Sequence, residues 1–274
     1  MTDGGGEKFP AFVRLGRKRL MEDTLQVTLV ANAGLLLEYR GTTLMLDGIY
    51  GPENHPFSNL KPEVWQEMKQ GEGLFRKVDY LLFSHAHPDH FSPEMTLEYL
   101  KERKVKGIFL PQTRSVRESG LADYLKEAGI PAVFLSEMTD HAAYRIEPSI
   151  TVRAFSTLHL DKKYHHVHHF CYLLTFGEKN ILFSADVDYT KEDFSRMKRF
   201  PLRAAFVNPL FFAELRRCRF FHGELEAQTI CIYHVPFSGE DEMHMRPVLA
   251  NDMVKFPAGQ EVRVLCDPFQ RTEL

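Results

Sequence analysis

The segment Ser84-His85-Ala86-His87-Pro88-Asp89-His90 constrains this chain more than any other stretch. It follows an apolar run of strand length, Val78 to Phe83. Behind it come Ser92 and Pro93, a helix cap and a favoured first helical residue. Four potential ligands therefore crowd one strand-to-helix loop. Imidazole nitrogens and carboxylates are what borderline divalent cations accept, and a loop can aim them at two neighbouring points. If the backbone stays extended, His85 and His87 project the same way, leaving Asp89 and His90 for a second ion.

Around this loop the chain offers short apolar runs and helical segments without strict alternation, which predicts a mixed α/β arrangement with a covered sheet. Gln26 to Tyr39 and Thr43 to Leu46 read as strands, the latter ending at Asp47. Tyr172 to Phe176 and Ile181 to Ala185 read as a hairpin across Gly177 to Asn180. Thr190 and Asp193 resemble a capping box for a helix through Lys198, and a further helix is expected over about Glu240 to Lys255. Residues 1–24 read as a peripheral lead. With no linker, repeat or low-complexity break beyond it, 25–274 reads as one domain.

Charge narrows the partners. Lys and Arg number 34 against 37 Asp and Glu, a net charge of −3, so no bulk charge exists for gripping nucleic acid or an anionic membrane. No apolar run approaches the roughly 18 residues of a membrane span. Four cysteines (Cys171, Cys218, Cys231, Cys266) are spread without pairing, which suits reduced thiols and a cytoplasmic setting. A small-molecule substrate is the expected partner.

The His-x-His-x-Asp-His pattern resembles the metallo-β-lactamase-fold hydrolases, from about Gln26 to Leu265. The resemblance implies a four-layer αβ/βα sandwich holding two divalent ions, zinc first and manganese or iron as alternatives. It implies further site residues at strand ends: Asp47 orienting a ligand, Asp186 bridging the ions, and His234 as the last ligand. One ion would be held by His85, His87 and His159, the other by Asp89, His90 and His234. The third histidine is the difficult assignment, because His159, His165, His166, His168 and His169 all follow the strand ending near Phe155. His159 sits where the pattern wants it; the others read mainly as solvated loop. His55, His141, His222 and His244 lack clustering and read as structural.

Asp186 stands where zinc lactamases carry Cys, and His87 where flavodiiron reductases carry an acid, so both branches are disfavoured. The stretch Val27 to Gly34 looks like the branch of ascorbate phosphate lactonase, with Asn32 replacing a His common there. The function implied is hydrolysis of a small ester, lactone or phosphodiester by a metal-bridging hydroxide, with Asp89 also a candidate base. A nuclease or nucleotide phosphodiesterase, and a non-catalytic metal scaffold or sensor, are the alternatives. Arg216, Arg217 and Arg219 would serve an anionic substrate if they reach it, and otherwise form a solvated face.

Overall fold

The computed structural model describes residues 23–52, 55–191, 194–217, 226–256, 259 and 261–274. The expected lead at 1–24 lies almost wholly outside them. Among the described residues the strands are β1 (Gln26–Leu29), β2 (Leu35–Tyr39), β3 (Thr42–Leu46), β4 (Tyr80–Leu82), β5 (Gly107–Pro111), β6 (Ala132–Leu135) and β7 (Ala143–Glu147). They continue with β8 (Ile150–Thr157), β9 (His169–Phe176), β10 (Lys179–Phe183), β11 (Leu202–Val207), β12 (Ala227–Ile232), β13 (Glu261–Val264) and β14 (Arg271–Glu273). Two seven-stranded sheets result, in the orders β14-β1-β2-β3-β4-β5-β6 and β13-β12-β11-β10-β9-β8-β7.

The helices are α1 (Pro62–Gln70), α2 (Pro93–Glu102), α3 (Arg114–Glu118), α4 (Leu121–Glu127), α5 (Pro209–Arg217) and α6 (Met245–Val254). Side-chain alternation assigns the layers. Leu35, Leu37 and Tyr39 of β2 join Phe170, Tyr172, Leu174 and Phe176 of β9 in the core between the sheets. Leu36 and Met45 point the other way, onto α1, α2 and α4 through residues such as Val64, Tyr99 and Leu125. Cys171, Leu173 and Leu182 likewise pack outward against Phe211, Phe212 and Leu249 of α5 and α6. Both faces of each sheet are thus covered, which is why the strands read as nearly continuous apolar runs. The order helix, sheet, sheet, helix is the expected four-layer sandwich.

Several local expectations are corrected. The helix expected from Thr190 through Lys198 is only a short turn at Phe194–Met197; Thr190 donates both its N–H and its hydroxyl to Asp188, and Asp193 lies outside the described residues. α6 starts at Met245 rather than Glu240, because the Asp241 carboxylate accepts the N–H groups of Met245 and Arg246. β9 starts at His169, three residues early, through register pairing with Thr157 of β8. β7 and β14 were unexpected. β14 is Arg-Thr-Glu, and β7 is only five residues with two alternating apolar side chains, Tyr144 and Ile146, packed on the core; pairing with β1 and β8 decides them.

β3 and β4 run parallel, as do β10, β11 and β12, so their C-terminal ends share one rim of each sheet. Asp47, Ala185 and His234 leave those ends in the left-handed backbone region, with φ of 47°, 46° and 60°. Non-glycine residues there are uncommon and concentrate at functional sites.

Candidate metal centre

Each strand end delivers a side chain. The loop after β4 carries His85, His87, Asp89 and His90; the end of β8 carries His159, the turn after β10 Asp186, and the end of β12 His234. Two sets of donor atoms form, His85 with His87 and His159, and Asp89 with His90, Asp186 and His234, each within 4.8 Å of one another. Asp186 stands between them. Its Oδ2 lies 4.0 Å from His85 Nε2, 3.8 Å from His159 Nε2 and 3.3 Å from His90 Nε2, while Oδ1 lies 3.7 Å from His234 Nε2. All seven residues singled out by the pattern are brought together.

The hydrogen bonds behind these side chains set their tautomers. Ser84 Oγ donates to Asp47 Oδ2 at 2.6 Å and so accepts from His85 Nδ1–H at 2.9 Å. His90 Nδ1–H donates to the same Asp47 oxygen at 2.9 Å, and the Ser84 N–H donates to Asp47 Oδ1. His159 Nδ1–H donates to the carbonyl of Leu160. With each Nδ1 proton committed, the Nε2 lone pairs face the centre. His85 Nε2, His159 Nε2 and Asp89 Oδ2 are buried there with no hydrogen-bond partner among the described residues. His90 Nε2 and His234 Nε2 sit 2.9 Å apart, a spacing that two facing lone pairs tolerate only with a proton or cation at hand. Buried polar atoms left without partners are costly. A divalent cation satisfies this donor set, so the residues fit the metals implied.

The same logic separates the five candidate histidines. His169 is fully buried beside His85 and His159, yet its Nδ1 bonds Thr157 Oγ1 at 2.7 Å and its Nε2 accepts the Asp186 N–H at 3.0 Å. It has no lone pair left, so it braces the Asp186 turn instead of facing the centre. It is not the solvated loop residue expected. His165 bonds Asp188 at 3.0 Å, and His166 and His168 are exposed. His159 alone of the five sends a free lone pair inward.

Neighbours shift the titrations in opposite directions. Burial drives His85 well below its ordinary value, with the nearby His90, His169 and His159 adding to the effect. His87 is lowered to about 4 by burial and by His159, and His159 is lowered by burial. His90 goes the other way: burial is outweighed by Asp89, Asp186 and Asp47, which hold its imidazolium well above the usual range. Asp89 is lowered to about 2 and Asp186 well below the carboxylate range, because the surrounding imidazoles overcome burial. Both carboxylates are ionised at neutral pH.

The family model described as the beta-lactamase superfamily domain matches residues 51–261. The chain belongs to this superfamily. Its fold is shared by a possible metal-dependent hydrolase from Veillonella parvula, at a TM-score of 0.62 and 15% identity over 91% of this chain and 99% of that one. It is shared also by the diiron β-hydroxylase CmlA from Streptomyces venezuelae, at 0.59 and 20% identity over 91% of this chain and 54% of that one. A Mycolicibacterium smegmatis protein named for a Rieske 2Fe-2S iron–sulfur centre is 33% identical over 91 residues, 32% of this chain and 16% of that one. This chain therefore spans about half of CmlA and a small part of the mycobacterial relative.

Around the donor set, several contributing residues were not legible as ligand-orienting groups in the sequence. The amide nitrogen of Asn32 lies 2.8 Å from His234 Nδ1, across 202 positions of chain, and its backbone N–H donates to the Tyr50 hydroxyl. The turn that carries it fits because Gly34 is bare: a Cβ there would come within 2.9 Å of the Gly48 Cα. Asn208 donates to the Ala185 carbonyl and to Asp186 Oδ1 while accepting from the Phe211 N–H. A cavity of about 330 Å³ opens above the donor atoms, lined also by His55, Phe57, Leu160, Tyr164, Leu210 and Met245. His55 thus borders the site, a placement its isolation in sequence did not signal. Arg219 and His222 lie outside the described residues, and of Arg216 and Arg217 only the backbone is described.

Proposed function

We propose that this chain is a dinuclear metal-dependent hydrolase acting on a small ester, lactone or phosphodiester, with zinc the first candidate metal and manganese and iron the alternatives. The observation that carries the reading is the set of inward lone pairs without protein partners at the floor of an open cavity. His85, His87 and His159 would hold one ion; Asp89, His90 and His234 the other; Asp186 both. Bound there, the ions would supply Lewis acidity and a water of lowered pKa. The chain's own residues do the rest. Asp47 and Ser84 hold His85 and His90 in the tautomers that present Nε2. Asn208 and His169 fix the Asp186 turn from two sides. Asp89, ionised and half-surrounded by imidazoles, can accept a proton transiently at Oδ2.

Metal analysis of the purified chain, paired with turnover of a panel of esters, lactones and phosphodiesters in the zinc, manganese and iron forms, tests the reading. Two ions per chain and hydrolysis in at least one form are expected. Two ions without turnover of any member would assign the site to a metal scaffold. The likeness to a diiron hydroxylase is the reason iron belongs among the metals loaded.

A further inference from the structure

The wall of the cavity differs sharply from its floor. The floor is imidazole and carboxylate; above it, four apolar side chains converge from four separate segments: Phe57, Leu160, Leu210 and Met245. Phe57 is held edge-on to the His234 ring, with centroids 4.4 Å apart. Leu160 is pinned beside the floor because its N–H donates to the Asp186 carbonyl. Leu210 occupies the first turn of α5, where Phe211 and Phe212 turn into the core while Leu210 stays 47% exposed at the cavity mouth. Met245 opens α6. A single exposed Leu is ordinary, but apolar groups gathered over a polar floor mark a ligand wall.

Among the described residues, two cations near this wall are committed elsewhere. Arg246 binds Asp267 and the carbonyls of Pro236 and Cys266, and Lys163 pairs with Asp161. Arg216 and Arg217 end α5, so their backbone lies about 10 Å or more along the helix axis from the Leu210 end. Among the described residues the ionisable lining is histidine, aspartate and Tyr164, with Asp161 at the rim. The described lining therefore offers no lysine or arginine to an additional anionic group on a substrate.

We infer that the cavity takes an uncharged acyl ester or lactone bearing an apolar chain, received by Phe57, Leu160, Leu210 and Met245. The inference rests on the hydrolase reading for the reaction and on the cavity wall for the substrate class. In that reaction water adds to the acyl carbon, the acyl C–O bond breaks, and the proton shed by water ends on the leaving alcohol. No oxidant or other co-reactant is needed. This departs from the anionic substrate for which the arginine cluster was the sequence argument.

The test uses the metal-loaded full chain and two series of equal chain lengths: straight-chain alkyl hydroxamates, titrated calorimetrically, and 4-nitrophenyl alkanoates, assayed for turnover beside bis(4-nitrophenyl) phosphate. Each added methylene should tighten hydroxamate binding and raise kcat/KM about fourfold until the wall is filled. Leu210→Lys, at a half-exposed position, should keep metal content and unfolding midpoint while flattening both series. Hydroxamate affinity independent of chain length, binding at no length, or a preference for the phosphodiester over every ester would overturn the inference. Length-dependent binding with no ester hydrolysed supports the apolar wall and removes the hydrolase reading. Ester turnover with a flat length series does the reverse.

Discussion

Around His85, His87 and His159 the immediate neighbours are other imidazoles, whereas His90 and His234 face the carboxylates of Asp89 and Asp186. Both sets are buried or nearly so, and desolvation opposes charge in both. In the first set Asp186, 4.0 Å from His85 and 3.8 Å from His159, offsets desolvation only in part, so the imidazoles are held neutral, ready to present lone pairs. In the second, carboxylates within 4 Å compensate fully and His90 is held protonated in the chain without metal. One residue type therefore has two resting states a few ångströms apart. The first set awaits a cation; the second must exchange a proton for one.

The largest effect should come where the sets meet. Asp186→Ala removes the carboxylate common to both and should lower metal content at each, with hydrolysis falling by roughly 10³-fold, the scale of losing a strong electrostatic contact in an active site. Elemental analysis and turnover check it; full occupancy of both positions in the variant would show the sets to be independent. His159→Ala should separate them, leaving about one ion per chain, held by Asp89, His90, Asp186 and His234. Loss of both ions would mean that the two sets form only as a unit.

Asn32→Ala sharpens the comparison from outside the ligand set. It touches His234 and none of the first set, and removing such an orienting partner typically costs about 10–100-fold in metal affinity. Competition with a calibrated chelator should show that loss for one ion alone.

The opposite shifts also predict opposite pH limbs for the metal-free chain. His85, His87 and His159 have folded values below the unfolded one of 6.5, so stability is intact above about pH 6.5 and declines as pH falls, through about 4 for His87. His90 has a raised folded value, so its contribution is complete below about pH 6.5 and is lost as pH rises through that value. Urea midpoints of chelator-treated protein should therefore peak near pH 6.5. His87→Gln should make the acid limb shallower, with His85, His159, Asp89 and Asp186 still contributing to it, and leave the alkaline one; a monotonic profile would refute the contrast. The smallest effects belong to His166→Ala and His168→Ala, exposed and outside both sets, which should keep their metal and shift stability by no more than about 0.5 kcal/mol.

The loop from Ser84 to His90 was legible in the sequence because its chemistry is local: four donors in six residues, between a strand and a capped helix. So was a mixed α/β arrangement with a covered sheet, since alternation and apolar run length are properties of neighbouring residues, whereas the four layers were legible only through resemblance. Asp47, Asp186 and His234 were legible only through resemblance, each being a lone polar residue at a strand end. Asn208 was not legible at all, Asn32 only as a replacement for a His, and His169 only as one of five candidates read mainly as solvated loop. Their roles are hydrogen bonds closed only on folding. Asn32 reaches His234 from one sheet rim to the other, while Asn208 and His169 brace the Asp186 turn from strand ends of a single sheet. Composition carries no trace of a partner 202 positions away.

The choice among the five histidines after β8 was decided by tertiary structure for the same reason. All five have the same chemistry and lie within eleven residues, so only the count of lone pairs left after folding distinguishes them. His169 spends its lone pair on the Asp186 N–H, His165 is tied to Asp188, His166 and His168 reach solvent, and His159 keeps a lone pair for the centre. What the sequence determined by itself was the four-donor loop from His85 to His90 and a mixed α/β frame with a covered sheet, both written in short-range pattern. What the tertiary structure decided was which donors stay unpaired and which apolar side chains wall the cavity above them, because both depend on contacts between segments distant in the chain.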